Sequence, residues 1–154
     1  MNLQETVGAA RAKASIEHLR NGVVLSYEER SNLITNAGID FLHAQGYGTA
    51  GVANGLNWMA LSDDAVSEDA DSTVLSAEIT DFGLARAQSS VSHSAGENVT
   101  KLTCVFVATD TVKCQKMAMF SDSAGGTMNH VIGFSERSLL AGDTLQVTVV
   151  VKIG

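Results

Sequence analysis

The sequence predicts a mainly β fold: an antiparallel β-sandwich or jelly-roll-like body with an N-terminal helical arm. Three observations carry this expectation. From residue 56 onward apolar residues recur at every second position, the spacing of half-buried strands. The connections between these runs are short and rich in Gly, Asp, Ser and Thr. Before residue 45 the apolar spacing is helical instead, and Gly46, Gly48, Gly51 and Gly55 mark a joint between the two regimes. The expected division is therefore an arm over residues 1–45 and a body over residues 46–154.

In chain order, the first 20 residues read as a helix, with Leu3, Val7, Ala10 and Ala14 on one face. Because this stripe is mostly alanine, it suits docking on another surface, and Leu3, Val7, Ala10 and Ala14 are candidate interface residues. Asn21-Gly22 then reads as a helix stop. A second helix is expected over 26–42, opened by the capping-box pattern Ser26-Tyr27-Glu28-Glu29. Leu33, Ile34, Ala37 and Phe41 would be its buried face, and Gly38 weakens it by about 1 kcal/mol relative to alanine.

The body begins with a strand over 56–62, followed by an acidic loop over 63–71. Residues 72–79 read as a helical turn or an edge strand, and 84–93 as a strand with a polar outer face. Over 99–108, Thr100, Leu102, Cys104, Phe106 and Ala108 face one way, and Val99, Lys101, Thr103, Val105 and Val107 the other. After the turn at Thr109-Asp110-Thr111, the strand over 112–120 sets Val112, Cys114, Lys116, Ala118 and Phe120 opposite Lys113, Gln115, Met117 and Met119. Met128, His130, Ile132 and Phe134 alternate along the next strand. Ala141-Gly142-Asp143 turns into the last, where Leu145, Val147, Val149, Val151 and Ile153 share a face. That strand is apolar on both faces. It is either central in its sheet or set against another subunit, so Val147, Val149 and Val151 are candidate interface residues.

A chain of 154 residues with 45% hydrophobic residues can bury a core without disulfides or a metal. No apolar run approaches the roughly 20 residues that span a bilayer, so no membrane role is expected. The N-terminus lacks a basic-then-apolar pattern, so no export through a signal peptide is expected. With no proline, no stiff extended spacer is expected. The net charge of -7 argues against direct nucleic-acid binding. The acidic excess is local: residues 46–90 hold seven acidic residues against a single base, Arg86.

Chemistry-bearing patterns are sparse, and no catalytic residue, metal ligand or cofactor is assigned. Cys104 and Cys114 flank a turn and read as small core residues, with a disulfide as the alternative. His18, His43, His93 and His130 are scattered without ligand spacing. Five carboxylates fall within 63–71, a composition calcium favours, but the EF-hand order is missing. A solvated acidic loop facing outward or toward a partner is the expectation. Ser92 and His93 are adjacent on a strand, point to opposite faces and cannot pair directly.

Several segments resemble small virion structural proteins of tailed bacteriophages. Ile34-Thr35-Asn36-Ala37-Gly38-Ile39 is similar to the helix that opens many of them. Trp58-Met59-Ala60-Leu61-Ser62-Asp63-Asp64 resembles their first strand and acidic loop. Glu78-Ile79 with Gly83-Leu84-Ala85-Arg86-Ala87, then Ser123-Ala124-Gly125-Gly126-Thr127-Met128, then Gly142-Asp143-Thr144-Leu145-Gln146-Val147-Thr148 continue the series. The likeness covers residues 31–154, and residues 1–30 depart from it. It implies a non-enzymatic structural role, as a capsid decoration (cement) protein or a tail, baseplate or fibre-attachment adaptor. The implied partners are the major capsid protein and further copies of the chain. A trimer is expected because a symmetric shell offers symmetric docking points. The implied location is the virion, assembled in the bacterial host cytoplasm. From the residues alone, a ligand- or calcium-binding β-module is a further alternative.

Overall fold

The computed structural model describes residues 11–31, 33–38 and 55–152. These hold ten strands: β1 (Arg11–Arg20), β2 (Val23–Ser31), β3 (Leu33–Ile34), β4 (Trp58–Ser62), β5 (Ala87–Gln88), β6 (Ser90–His93), β7 (Val99–Val107), β8 (Val112–Phe120), β9 (Met128–Leu139) and β10 (Thr144–Lys152). They form two antiparallel sheets of five strands each, ordered β2-β1-β10-β7-β6 and β3-β9-β8-β4-β5. Inward side chains of both sheets meet in one core, including Ile16, Phe106, Leu145, Val147 and Val149 from the first and Met59, Leu61, Met117, Met119 and Ile132 from the second. The fold is mainly β, and its described helix is a single turn at 36–38.

The expected N-terminal helical arm is not seen. From Arg11 the chain is strand β1, paired with β10 from Arg11↔Lys152 to Leu19↔Thr144. Ala12, Ala14, Ile16 and His18 point inward and are buried, while Lys13 is exposed. Ala14 is thus a core residue with no accessible surface. Leu3, Val7 and Ala10 lie outside the described residues. Positions four apart share a face in a helix and in a strand alike, so the Ala10–Ala14 spacing did not discriminate between them.

The second expected helix is corrected as well: up to Ser31 it is strand β2, and β3 follows. Asn21 and Gly22 do not stop a helix. Their φ values of 50° and 76° are those of a two-residue type I′ hairpin loop, closed by the Arg20↔Val23 pair. The Ser26–Glu29 spacing is that of a capping box, but these residues lie in mid-strand, with Ser26 paired to His18 and Glu28 to Ile16.

In the body, β4, β7, β8, β9 and β10 match the expected strands, and β10 is central in its sheet. The expected strand over 84–93 divides. β5 pairs with β4 in one sheet, β6 pairs with β7 in the other, and the chain crosses at buried Ser89. The Ser89 hydroxyl and amide both donate to the Asn57 carbonyl, each at 2.8 Å.

Strict alternation fails on β8. The pairing with β9 shifts between Cys114 and Lys116, so Cys114 faces the core together with Met117 and Met119. Lys116 moves to the opposite face with Ala118 and Phe120. There Ala60, Leu75, Ala118, Phe120, Met128 and Val131 form a second apolar cluster. A second shift, between Met119 and Phe120, makes Asn129 an extra residue on β9 and separates Met128 from Ile132 and Phe134.

Candidate functional site

The acidic loop does not simply face solvent. It folds over the outer face of the β4–β8 pair and closes on Lys116, a lysine only 2% exposed. The Lys116 ammonium donates to the Val66 carbonyl at 2.8 Å, Glu68 Oε1 at 2.8 Å and Ser76 Oγ at 2.9 Å. Asp64 Oδ2 lies 3.8 Å away. The Ser76 hydroxyl is also 2.5 Å from Asp64 Oδ2 and 3.0 Å from Glu68 Oε1. Ser62 Oγ, at the end of β4, donates to the Ser76 carbonyl and accepts from the Asp64 amide, tying both flanks to the sheet.

Electrostatics follow from this packing. Burial acts to raise the Glu68 carboxyl, but donation from Lys116, Ser72 and Ser76 outweighs it and brings the pKa down to about 2. Asp64 is lowered by the Ser76 hydroxyl, the Val66 amide and the Lys116 charge. An ammonium donating to three acceptors has no lone pair to offer as a nucleophile or base. Lys116 is therefore a pin that turns Asp64 and Glu68 inward. Asp63, Asp69 and Asp71 are exposed. Asp69 caps its own turn, accepting from the Asp71 backbone amide at 2.9 Å, and Asp71 Oδ1 accepts from Asn36 Nδ2 at 2.7 Å. Among the described residues, no three His, Cys, Asp or Glu side chains group as an ion cage requires.

Other polar clusters join the strands. Asp143, 2% exposed, accepts from Arg20 Nε and Nη2, both at 2.9 Å, and lies 2.8 Å from His18 Nε2. Arg20, the Leu140 amide and His18 hold its carboxyl well below the usual range against the effect of burial. Arg86 makes two bonds to Glu78, two to the carbonyls of Asp122 and Gly125, and stacks 3.6 Å from the Phe120 ring centroid. Arg137 of β9 donates to Glu28 of β2, linking the two sheets at 2.8 Å.

Cys104 and Cys114 are free, buried thiols, pushed up by burial to about 11 and about 12. His130 is buried, and burial pulls its pKa down to about 4. His93 is exposed, with Nδ1 placed 2.9 Å from the Val99 carbonyl. His43 lies outside the described residues.

Val147 and Val149 have no accessible surface, and Val151 is half-buried against the core. The apolar surface that is open lies elsewhere. On the outer face of the β10 sheet, pairing aligns Val24, Leu19, Thr144 and Val107 in one row across four strands. Val24, Val107, Leu25, Tyr27, Val105 and Val150 are each between 37% and 59% exposed. Reading β7 by alternation does place Val105 and Val107 on that face. Tyr27 was hidden by the helical reading over 26–42, and Val24 and Leu25 were assigned to no element.

No family model matches the chain, and no curated protein or solved structure matches it either. Among the described residues no helix is long and apolar enough to cross a membrane.

Proposed function

We propose that the chain is a non-enzymatic structural protein of a tailed-bacteriophage virion, a capsid decoration protein with a β-sandwich body. Its outer β10 sheet face would dock on the major capsid protein, and further copies would complete a closed homo-oligomer, a trimer. The observation that carries this reading is the outward row Val24, Leu19, Thr144 and Val107, with exposed valines at both ends. Exposed valine and leucine side chains aligned across neighbouring strands, on a sheet with one face already in the core, suit an assembly contact. The polar clusters add support. Lys116, Asp143 and Arg86 are engaged in holding loops and strands, which suits a scaffold.

Co-sedimentation with capsids tests the docking face. Val107→Lys places a charge at one end of the row at an exposed position, so the variant folds and binds capsids at least tenfold more weakly. Unchanged binding refutes the assignment. Copy number separates decoration from the alternative, a tail, baseplate or fibre adaptor. Shell symmetry calls for on the order of hundreds of copies per particle, an adaptor for about a dozen or fewer.

A further inference from the structure

Protein interiors are close-packed, with few voids larger than a water molecule. The packing departs from this at the end where β10 finishes and β9 begins, where a cavity of about 360 Å3 lies between the sheets. That volume falls in the range of small-molecule pockets. Ile34 and Met119 line it with hydrocarbon from one sheet, and Val91, Leu102 and Val151 from the other.

Val91 places the mouth. It is paired with Leu102 of β7, Leu102 with Val149 of β10, and Val149 with Ala14 of β1. Directly paired residues of an antiparallel sheet share a face, so all four belong to the inward layer. Leu102, Val149 and Ala14 are 5%, 0% and 0% exposed, but Val91 is 53% exposed. An inward valine left this open marks where the space between the sheets meets solvent. On this side the edge strand of the other sheet, β5, is only two residues long, Ala87–Gln88. Thr100, the next inward residue of β7, is half-buried and adds a hydroxyl to the same wall. None of the described residues lining the cavity is an acid, a lysine or an arginine. Burial pulls the pKa of His130 down to about 4, so its ring is neutral at pH 7.

We propose that this cavity binds the hydrocarbon chain of a small uncharged amphiphile, inserted past Val91 with its polar head left at the mouth beside Thr100. An apolar cavity of about 150 Å3 stays dry and takes up benzene, so one of this size holds a chain of several more carbons. The chain lies on Ile34, Leu102, Met119 and Val151, and its removal from water is the driving force. A charged head finds no counter-charge on the described wall to offset its desolvation, so a neutral one is preferred.

The probes are straight-chain primary alcohols from 1-butanol to 1-octanol, with sodium octanoate as the charged control. They are titrated at pH 7 by calorimetry and by the NMR methyl signals of Met119, Ile34 and Leu102. Saturable binding with shifts at these methyls is expected, with affinity rising about fourfold per added methylene. Octanoate should bind at least fivefold more weakly than 1-octanol. Val91→Trp, a change at an exposed position, should weaken 1-octanol at least tenfold by closing the mouth, while the far-UV circular dichroism stays that of wild type. Absence of a Met119 shift with 1-octanol, which means that the protein itself fills the space, overturns the proposal. So does equal affinity for 1-butanol and 1-octanol, for 1-octanol and octanoate, or in wild type and Val91→Trp.

Discussion

Replacing Lys116 by methionine tests how the acidic loop is held. The substitution keeps the length and most of the volume of the side chain, so the apolar contacts beside Ala118 are preserved. What goes is the ammonium that donates to Val66, Glu68 and Ser76. Glu68, whose side chain is 11% exposed, is then left as a carboxylate in a site that burial alone makes unfavourable. Removing one partner of a buried pair costs about 3–5 kcal/mol. In a chain of this size that is a fall of about 10 °C in Tm. The pH dependence fixes the cause. The folded-state pKa of Glu68 is depressed from 4.5 to about 2, so the stability the pair supplies is fully present above pH 4.5 and lost as pH falls toward 2. The gap between wild type and Lys116→Met therefore narrows as the buffer is acidified from pH 7 to 3. Urea denaturation at pH 7, 5 and 3 measures it. Adding Glu68→Gln to Lys116→Met should restore more than half of the lost stability, since the uncompensated charge is gone. A loss under about 1 kcal/mol at pH 7, the value of an exposed pair, refutes the reasoning, as does a loss independent of pH.

Gly22→Ala should destabilise the protein by about 1 kcal/mol in the same assay, because φ at that position is 76° and the cost is backbone strain with no clash. Asp143→Asn should cost about 2–3 kcal/mol at pH 7 by leaving Arg20 and His18 without their shared carboxylate. Its carboxyl is depressed, so that contribution persists through mildly acidic pH and disappears only well below the usual aspartate range. Cys104 and Cys114, buried and raised to about 11 and about 12, should not react with a thiol-disulfide reagent at pH 8 until the protein is unfolded. Two thiols titrating rapidly in the native state would contradict their place in the core.

The strands that could be read from the sequence are those whose two faces differ most. β7 alternates Leu102, Cys104 and Phe106 against Lys101, Thr103 and Val105, and β10 carries Leu145, Val147 and Val149 on one face. β1 alternates equally well, but its inward residues are Ala12, Ala14, Ile16 and His18. Alanine is the best helix former, and helix and strand both align positions four apart, so propensity favoured the wrong periodicity. β2 was harder. Its inward face carries Ser26, Glu28 and Arg30, which no hydrophobic pattern marks as a strand. The strongest signal present was Asn21-Gly22 between two runs, the most specific short hairpin sequence. Lys116 was assigned by strict alternation to the face of Cys114, and one bulge reversed that. Bulges are set by three-dimensional pairing, so the pin beneath the acidic loop had no signature in sequence.

The polar clusters and the cavity divide the molecule between them. His18, Arg20 and Asp143 close the end where β1 turns into β2 and β9 into β10. Glu28 and Arg137 join the sheets along the β2–β9 side, and Arg86 and Lys116 fasten loops over the outer face of the β8 sheet. At the opposite end, where Val151, Leu102 and Met119 line it, the space between the sheets is a cavity. Apolar burial along the middle of each strand holds the sheets together whether or not that end is filled. A fold held by its core and by pins at the other end can leave an opening there without loss of its architecture.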